Sequence, residues 1–109
     1  MTYQHRELQS GGWQNLSLME QLANIGSEVG RTAKWHIKNP SYSEAGFNRA
    51  LELFCLTLRD RRWKGRLKEI ARARELFVDA YFGGKEYHSS LEGMEKYFYP
   101  FAFAARRGR

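Results

Sequence analysis

The stretch Ser17-Leu18-Met19-Glu20-Gln21-Leu22-Ala23-Asn24-Ile25-Gly26-Ser27-Glu28-Val29 decides the fold class. Its first four residues have the pattern of a capping box. The serine oxygen accepts from the amide three residues on, and the glutamate reaches back to the serine amide. Leu18, Leu22, Ile25 and Val29 then recur at spacings of four, three and four, which puts them on one helical face. This helix is expected to run to about Lys38, because Asn39 precedes Pro40 and a residue before proline avoids the helical region.

The same arrangement recurs downstream. Ser41-Tyr42-Ser43-Glu44 precedes Phe47, Leu51, Phe54 and Leu58, predicting a second helix that ends near Asp60. A third helix is expected from Lys64 or Arg66, carrying Leu67, Ile70, Ala71, Phe77, Val78 and Tyr81. It stops at Gly83-Gly84, since glycine accepts the left-handed conformation just past a helix end. Ser89-Ser90-Leu91-Glu92 opens a fourth, with Leu91, Met94, Phe98, Phe101 and Ala105 on its stripe. Pro100 has no N–H to donate to the Lys96 carbonyl, so a kink or a break is expected there. No segment alternates with period two, so no sheet is expected. The expected fold is all-α: one up-down four-helix bundle over residues 15–106, with antiparallel neighbours and a kink at Pro100. A flexible tail is expected at 1–14, jointed at Ser10-Gly11-Gly12, and a basic tail at 107–109.

A chain of 109 residues can bury one real core without disulfides or metal. Cys55 is the single cysteine, so no internal disulfide forms, which suits a cytoplasmic location. No apolar run approaches the roughly 18 residues of a membrane span, so no stable membrane insertion is expected. Met1 to Trp13 lacks the apolar stretch of a signal peptide. The net charge is +6 and the pI about 9.7, an excess that favours nucleic acid, anionic lipid or acidic proteins as partners.

Up-down topology gathers that charge. The second connection and the end of the fourth helix share one pole. Arg59, Arg61, Arg62, Lys64, Arg66 and Lys68 surround the connection, against only Asp60 and Glu69, and Arg106, Arg107 and Arg109 close the chain. Trp63 sits inside the basic run, where an aromatic can stack on a base. The start of the third helix offers amides and a positive dipole end that suit a phosphate. The competing reading is structural: cations near the ends of helices two and four offset the negative dipole ends there, and Trp63 caps the core.

Other residues add alternatives. Ala23, Gly26, Gly30 and Ala33 form a small-residue stripe, which calls for a close backbone approach inside the bundle or between subunits. Gly26 and Gly30 are therefore candidate oligomer contacts. Arg74 falls within the apolar stripe of helix three and would need a carboxylate such as Glu28 or Glu52 if buried. Tyr97-Phe98-Tyr99-Pro100-Phe101-Ala102-Phe103 holds more aromatics than one core face accepts. Tyr99 and Phe103 should project outward, as at a homo-oligomer interface. His5, His36 and His88 are scattered, no Glu-x-x-His or phosphate-binding glycine loop occurs, and no metal or cofactor is expected. Cys55 is expected at the core or its boundary.

Arg31-Thr32-Ala33-Lys34-Trp35-His36 is similar to the Arg-x4-His spacing of HEPN ribonucleases. That likeness would make His36 the proton-transfer group and Arg31 the phosphate holder. The stretch 18–29, with Ala50-Leu51-Glu52-Leu53, Lys96-Tyr97-Phe98 and Ala104-Ala105-Arg106, resembles a family of small prokaryotic helical proteins. The resemblance implies the fold and no activity. In architecture alone, the chain is similar to rRNA intervening-sequence proteins and retroelement accessory proteins, basic helical bundles of which the latter assemble into oligomers and bind nucleic acid. The leading expectation is a non-enzymatic, oligomeric bundle that binds RNA or DNA through the basic pole. A protein-interaction scaffold using the aromatics of helix four is the alternative, and a HEPN-like ribonuclease the second alternative.

Overall fold

Four α-helices carry the chain: α1 (Leu18–Trp35), α2 (Pro40–Leu58), α3 (Leu67–Tyr81) and α4 (Leu91–Arg107). Short 3-10 turns at Gly12–Asn15 and Arg61–Arg66 precede α1 and α3. The computed structural model describes residues 12–107, and no strand occurs among them. Residues 1–11 of the tail expected at 1–14, and 108–109 of the basic tail expected at 107–109, lie outside the described residues.

α1 starts as its sequence predicts. Ser17 Oγ accepts from the Glu20 amide at 3.1 Å, and Glu20 Oε1 accepts from the Ser17 amide at 2.9 Å. The other two Ser-x-x-Glu strings form no such box. Asn39 outcompetes Ser41: its Oδ1 accepts from the Tyr42 amide at 3.3 Å, and Pro40 takes the first helical position, where a missing N–H costs nothing. At α4 the cap is Ser90, whose Oγ accepts from the Gly93 amide at 3.0 Å. Ser89 is drawn away, its hydroxyl set against Leu76 O at 2.8 Å and Asp79 Oδ2 at 2.7 Å. α1 closes at Trp35, three residues before Lys38. α4 runs through Pro100 without a break. Pro100 and Lys96 are both exposed, so water can serve the carbonyl that proline cannot.

The helices alternate in direction. The Trp13 indole N–H donates to Thr57 Oγ1 at 3.1 Å, which ties the entry to α1 to the end of α2. At the opposite end Ser43 Oγ donates to Thr32 O at 2.7 Å. The rings of Phe47 and Tyr81 stack at 3.9 Å and those of Phe54 and Phe77 lie 6.2 Å apart, so α2 and α3 are antiparallel. α4 returns along α1, with Phe98 against Gly26 and Glu95 near Gly30.

Two close crossings centre the bundle on α1. A Cβ at Gly46 would lie 3.0 Å from Thr32 Oγ1 and 3.2 Å from Thr32 N. A Cβ at Gly26 would lie 2.8 Å from Phe98 Cβ. The small-residue stripe thus finds its close partner within the chain. Phe98 takes the space beside Gly26, which still lines the cleft between α1 and α4. Gly30 is looser, with Glu95 Oε2 at 3.4 Å from its would-be Cβ.

The core takes Leu18, Leu22, Ile25 and Val29 from α1, as their spacing predicts. α2 is rotated from its expected stripe. It buries Ser43, Gly46, Ala50 and Thr57 beside Phe47, Leu53 and Phe54, and leaves Leu51 and Leu58 half-buried. Three further expectations are corrected. Trp13, assigned to the tail, is 1% exposed and caps the core. Cys55 is exposed. Arg74 is exposed too and needs no buried carboxylate; Glu28 pairs instead with Arg31 at 2.9 Å.

Candidate nucleic-acid interface

The second connection is built around a buried polar hub. Gln21, fully buried on α1, donates from Nε2 to Trp13 O at 2.9 Å and to Asp60 Oδ2 at 3.1 Å. Its Oε1 accepts from the Trp63 indole N–H at 2.9 Å. Asp60, also buried, accepts from the Arg62 amide at 3.1 Å and from the Arg62 guanidinium at 2.6 to 3.2 Å. Arg62 Nη2 reaches Leu16 O at 2.8 Å as well. The hydrogen bonds from Arg62 hold the Asp60 carboxyl down to a pKa of about 2, against the opposing effect of burial. The same bonds raise the Arg62 pKa.

This hub sorts the predicted contact residues into two groups. Arg62 and Trp63 are engaged inside the fold: Arg62 neutralises Asp60, and its guanidinium covers the Trp63 ring at 4.5 Å. The half-buried Trp63 packs on the core. Arg66 pairs with Glu69 at 3.0 Å, with both side chains well exposed. Arg59, Arg61, Lys64 and Lys68 are exposed and form no ion pair among the described residues. Arg106 and Arg107 end α4 in the same condition. Arg106 lines a cleft with Ala23 near the start of α1, so it shares the pole of the connection. At the turn that leads into α3, the Asp60 carboxylate accepts from the Arg62 amide, whereas α3 itself starts after Arg66 with no side-chain cap.

Among the described residues the pole therefore presents six unpaired cations around a hydrogen-bonded base, with Asp60 and Glu69 spent on Arg62 and Arg66. A surface of this kind attracts polyanions through Coulomb forces and holds them by short contacts to phosphate. Gln21 and Trp13, which hold the base together, are not among the residues the sequence reading assigns to the pole. A glutamine within an apolar stripe is the signal that pointed to it.

Arg31 and His36 are not brought together. Five residues turn a helix by about 140° beyond a full circle. Arg31 faces the trough between α1 and α4 and pairs with Glu28, whereas the His36 ring lies edge-on to Tyr81 at 5.4 Å. Gly30 lines that trough. Tyr99 and Phe103 stand out from α4, 57% and 69% exposed. Among the described residues no group of three or more His, Cys, Asp or Glu side chains could hold a metal ion, and no helix is long and apolar enough to cross a membrane. Comparison with known proteins finds no matching family model, curated protein or solved structure.

Proposed function

We propose that this protein is a non-enzymatic, oligomeric helical bundle that binds the phosphate backbone of RNA or DNA through its basic pole. The observation that carries the reading is the set of exposed cations free of ion pairs, Arg59, Arg61, Lys64, Lys68, Arg106 and Arg107, gathered at one end. Arg66 joins them by exchanging Glu69 for a phosphate, a small loss for so exposed a pair. Arg62 and Trp63 serve as the foundation: they hold the connection in shape so that its neighbours converge. Binding of this kind reads charge spacing and not base sequence, because its partners are phosphate oxygens. The exposed Cys55 thiol suits the reducing cytoplasm, where it stays reduced.

The test is fluorescence anisotropy with short labelled RNA and DNA at two salt concentrations. Counterion release sets the slope of log affinity on log salt at about −0.9 per phosphate contact on duplex DNA and about −0.7 on single strands. A variant with Arg59→Ala, Arg61→Ala and Lys64→Ala loses binding and flattens the slope. A charge-matched control with Lys38→Ala, Arg74→Ala and Lys85→Ala keeps both. No binding by wild type at low salt, or equal losses in the two variants, rejects the reading.

A further inference from the structure

One face of α4 is laid out symmetrically about Tyr99. Glu92 and Arg106 stand seven residues to either side of it, and Glu95 and Phe103 stand four to either side. At 100° per residue these five positions fall within an arc of about 80°. The stripe therefore reads acid, acid, aromatic, aromatic, base along the helix. Tyr99 and Phe103 are more than half exposed. Among the described residues Glu92 is held only by Lys96 at 3.5 Å, in a pair whose side chains are 81% and 70% exposed. Beside the stripe runs the trough between α1 and α4, floored by Gly26, Ser27 and Gly30, with Tyr99, Ala102 and Arg106 along its edge. It continues past Gly30 and Glu95 toward Trp35 and Leu91.

We propose that this face is the contact between two copies of the chain, packed antiparallel about a two-fold axis at Tyr99. The arrangement sets Glu92 of each copy against Arg106 of the other, twice over. The two Tyr99 rings meet at the axis, and Phe103 of the second copy falls beside Glu95, next to Gly30, which has no side chain to oppose it. A parallel pairing would set Glu92 against Glu92 and Arg106 against Arg106, so the charges select the antiparallel form. A two-fold contact must be self-complementary in this sense, each patch matching itself after rotation. The inference specifies the oligomeric part of the proposed function: in the dimer Arg106 serves the subunit contact and Arg59, Arg61, Lys64, Lys68 and Arg107 remain for phosphate, and its readout is assembly state with no nucleic acid present.

Sedimentation equilibrium of the full chain tests it with three samples beside wild type. Wild type dimerises. Glu92→Arg alone and Arg106→Glu alone each place like charges at both ends of the contact and weaken dimerisation by at least about tenfold. An equimolar mixture of the two variants restores it, because each end of the mixed dimer then pairs arginine with glutamate. A monomeric wild type, single variants that dimerise as wild type does, or a mixture that stays monomeric overturns the proposal. Circular dichroism checks the fold of each variant. Should either fail to fold, a Tyr99→Cys variant in a Cys55→Ser background is treated with a short bismaleimide. It crosslinks to a covalent dimer, whereas Tyr42→Cys in the same background does not; no crosslink at Tyr99 overturns the proposal.

Discussion

Replacing Gln21 by leucine removes the hub beneath the basic connection while keeping nearly the same volume. Three hydrogen bonds go with the amide: those to Trp13 O and Asp60 Oδ2, and that from the Trp63 indole. The Trp13 carbonyl loses that donor but keeps the Leu16 amide at 3.2 Å, so its share is about 0.5–1.5 kcal/mol. The bond to the charged Asp60 is worth about 1.5–3 kcal/mol, discounted because Arg62 still holds the carboxylate. Trp63 is half-buried and recovers part of its bond from water, so its share is about 0.5–1 kcal/mol. The leucine regains about 1–2 kcal/mol of apolar burial. The net expected loss is about 1–3 kcal/mol, a sizeable part of the roughly 5–15 kcal/mol that holds a domain of this kind together. Urea unfolding followed by circular dichroism measures it. With a slope of about 1–2 kcal/mol per molar, the midpoint falls by roughly 0.5–3 M. Lys68→Ala, exposed on the same pole, stays within about 0.5 kcal/mol of wild type. A Gln21→Leu midpoint equal to wild type or higher would refute the view that this network fixes the connection.

Gly26→Ala drives a methyl into Phe98 Cβ, an overpacking loss of about 1–3 kcal/mol that outweighs the roughly 1 kcal/mol gain in helix propensity; a raised thermal midpoint contradicts the crossing. Gly84 sits at φ +72°, and a Cβ there would collide with Ser89 O, so Gly84→Ala lowers the thermal midpoint by more than Gly65→Ala, where nothing lies within 4 Å. Asp60 is depressed to a pKa of about 2 from the ordinary 3.8, so its contribution is complete above about pH 4 and is lost as pH falls toward 2. Asp79 is lowered as well, first by the Ser89 hydroxyl and then by the amides of Glu86, Tyr87 and Ser89, and it acts in the same direction. Urea midpoints at pH 5 and pH 2.5 should differ less in Asp60→Asn than in wild type.

The apolar stripes made the number and order of helices legible, because only packing four one-sided helices together buries all of them. The start of α1 and its four aliphatic core positions were readable, since those side chains are large and regularly spaced, but its end came three residues early at Trp35. α2 was less so. Its inner face includes Ser43, Gly46, Ala50 and Thr57, residues that hydropathy ignores but that a close backbone crossing selects. Capping strings were ambiguous for a related reason: a serine caps only if no stronger claim is made on it. Asn39 with Pro40 preempts Ser41, and Asp79 draws off Ser89. At the pole, the sequence showed which residues are charged but not which are already paired. Asp60 lies two residues from Arg62 and next to Arg61, and only the buried seat beside Gln21 explains why Arg62 is the one it holds. Trp13 escaped notice because its partners, Thr57 and Gln21, are distant in the chain and neither is apolar.

The guanidinium lying over the Trp63 ring has an optical consequence. Trp63 stands at the basic pole and Trp35 near the opposite one, while Trp13 is sealed from solvent, so in a Trp35→Phe background collisional quenching reports mainly on the pole. Iodide should gather there and quench more strongly than caesium, with acrylamide, which is uncharged, giving the reference for simple access. The local potential of the unliganded protein is thus measurable from a chromophore the chain already carries, and added salt should erase the difference between the two ions while leaving acrylamide quenching unchanged.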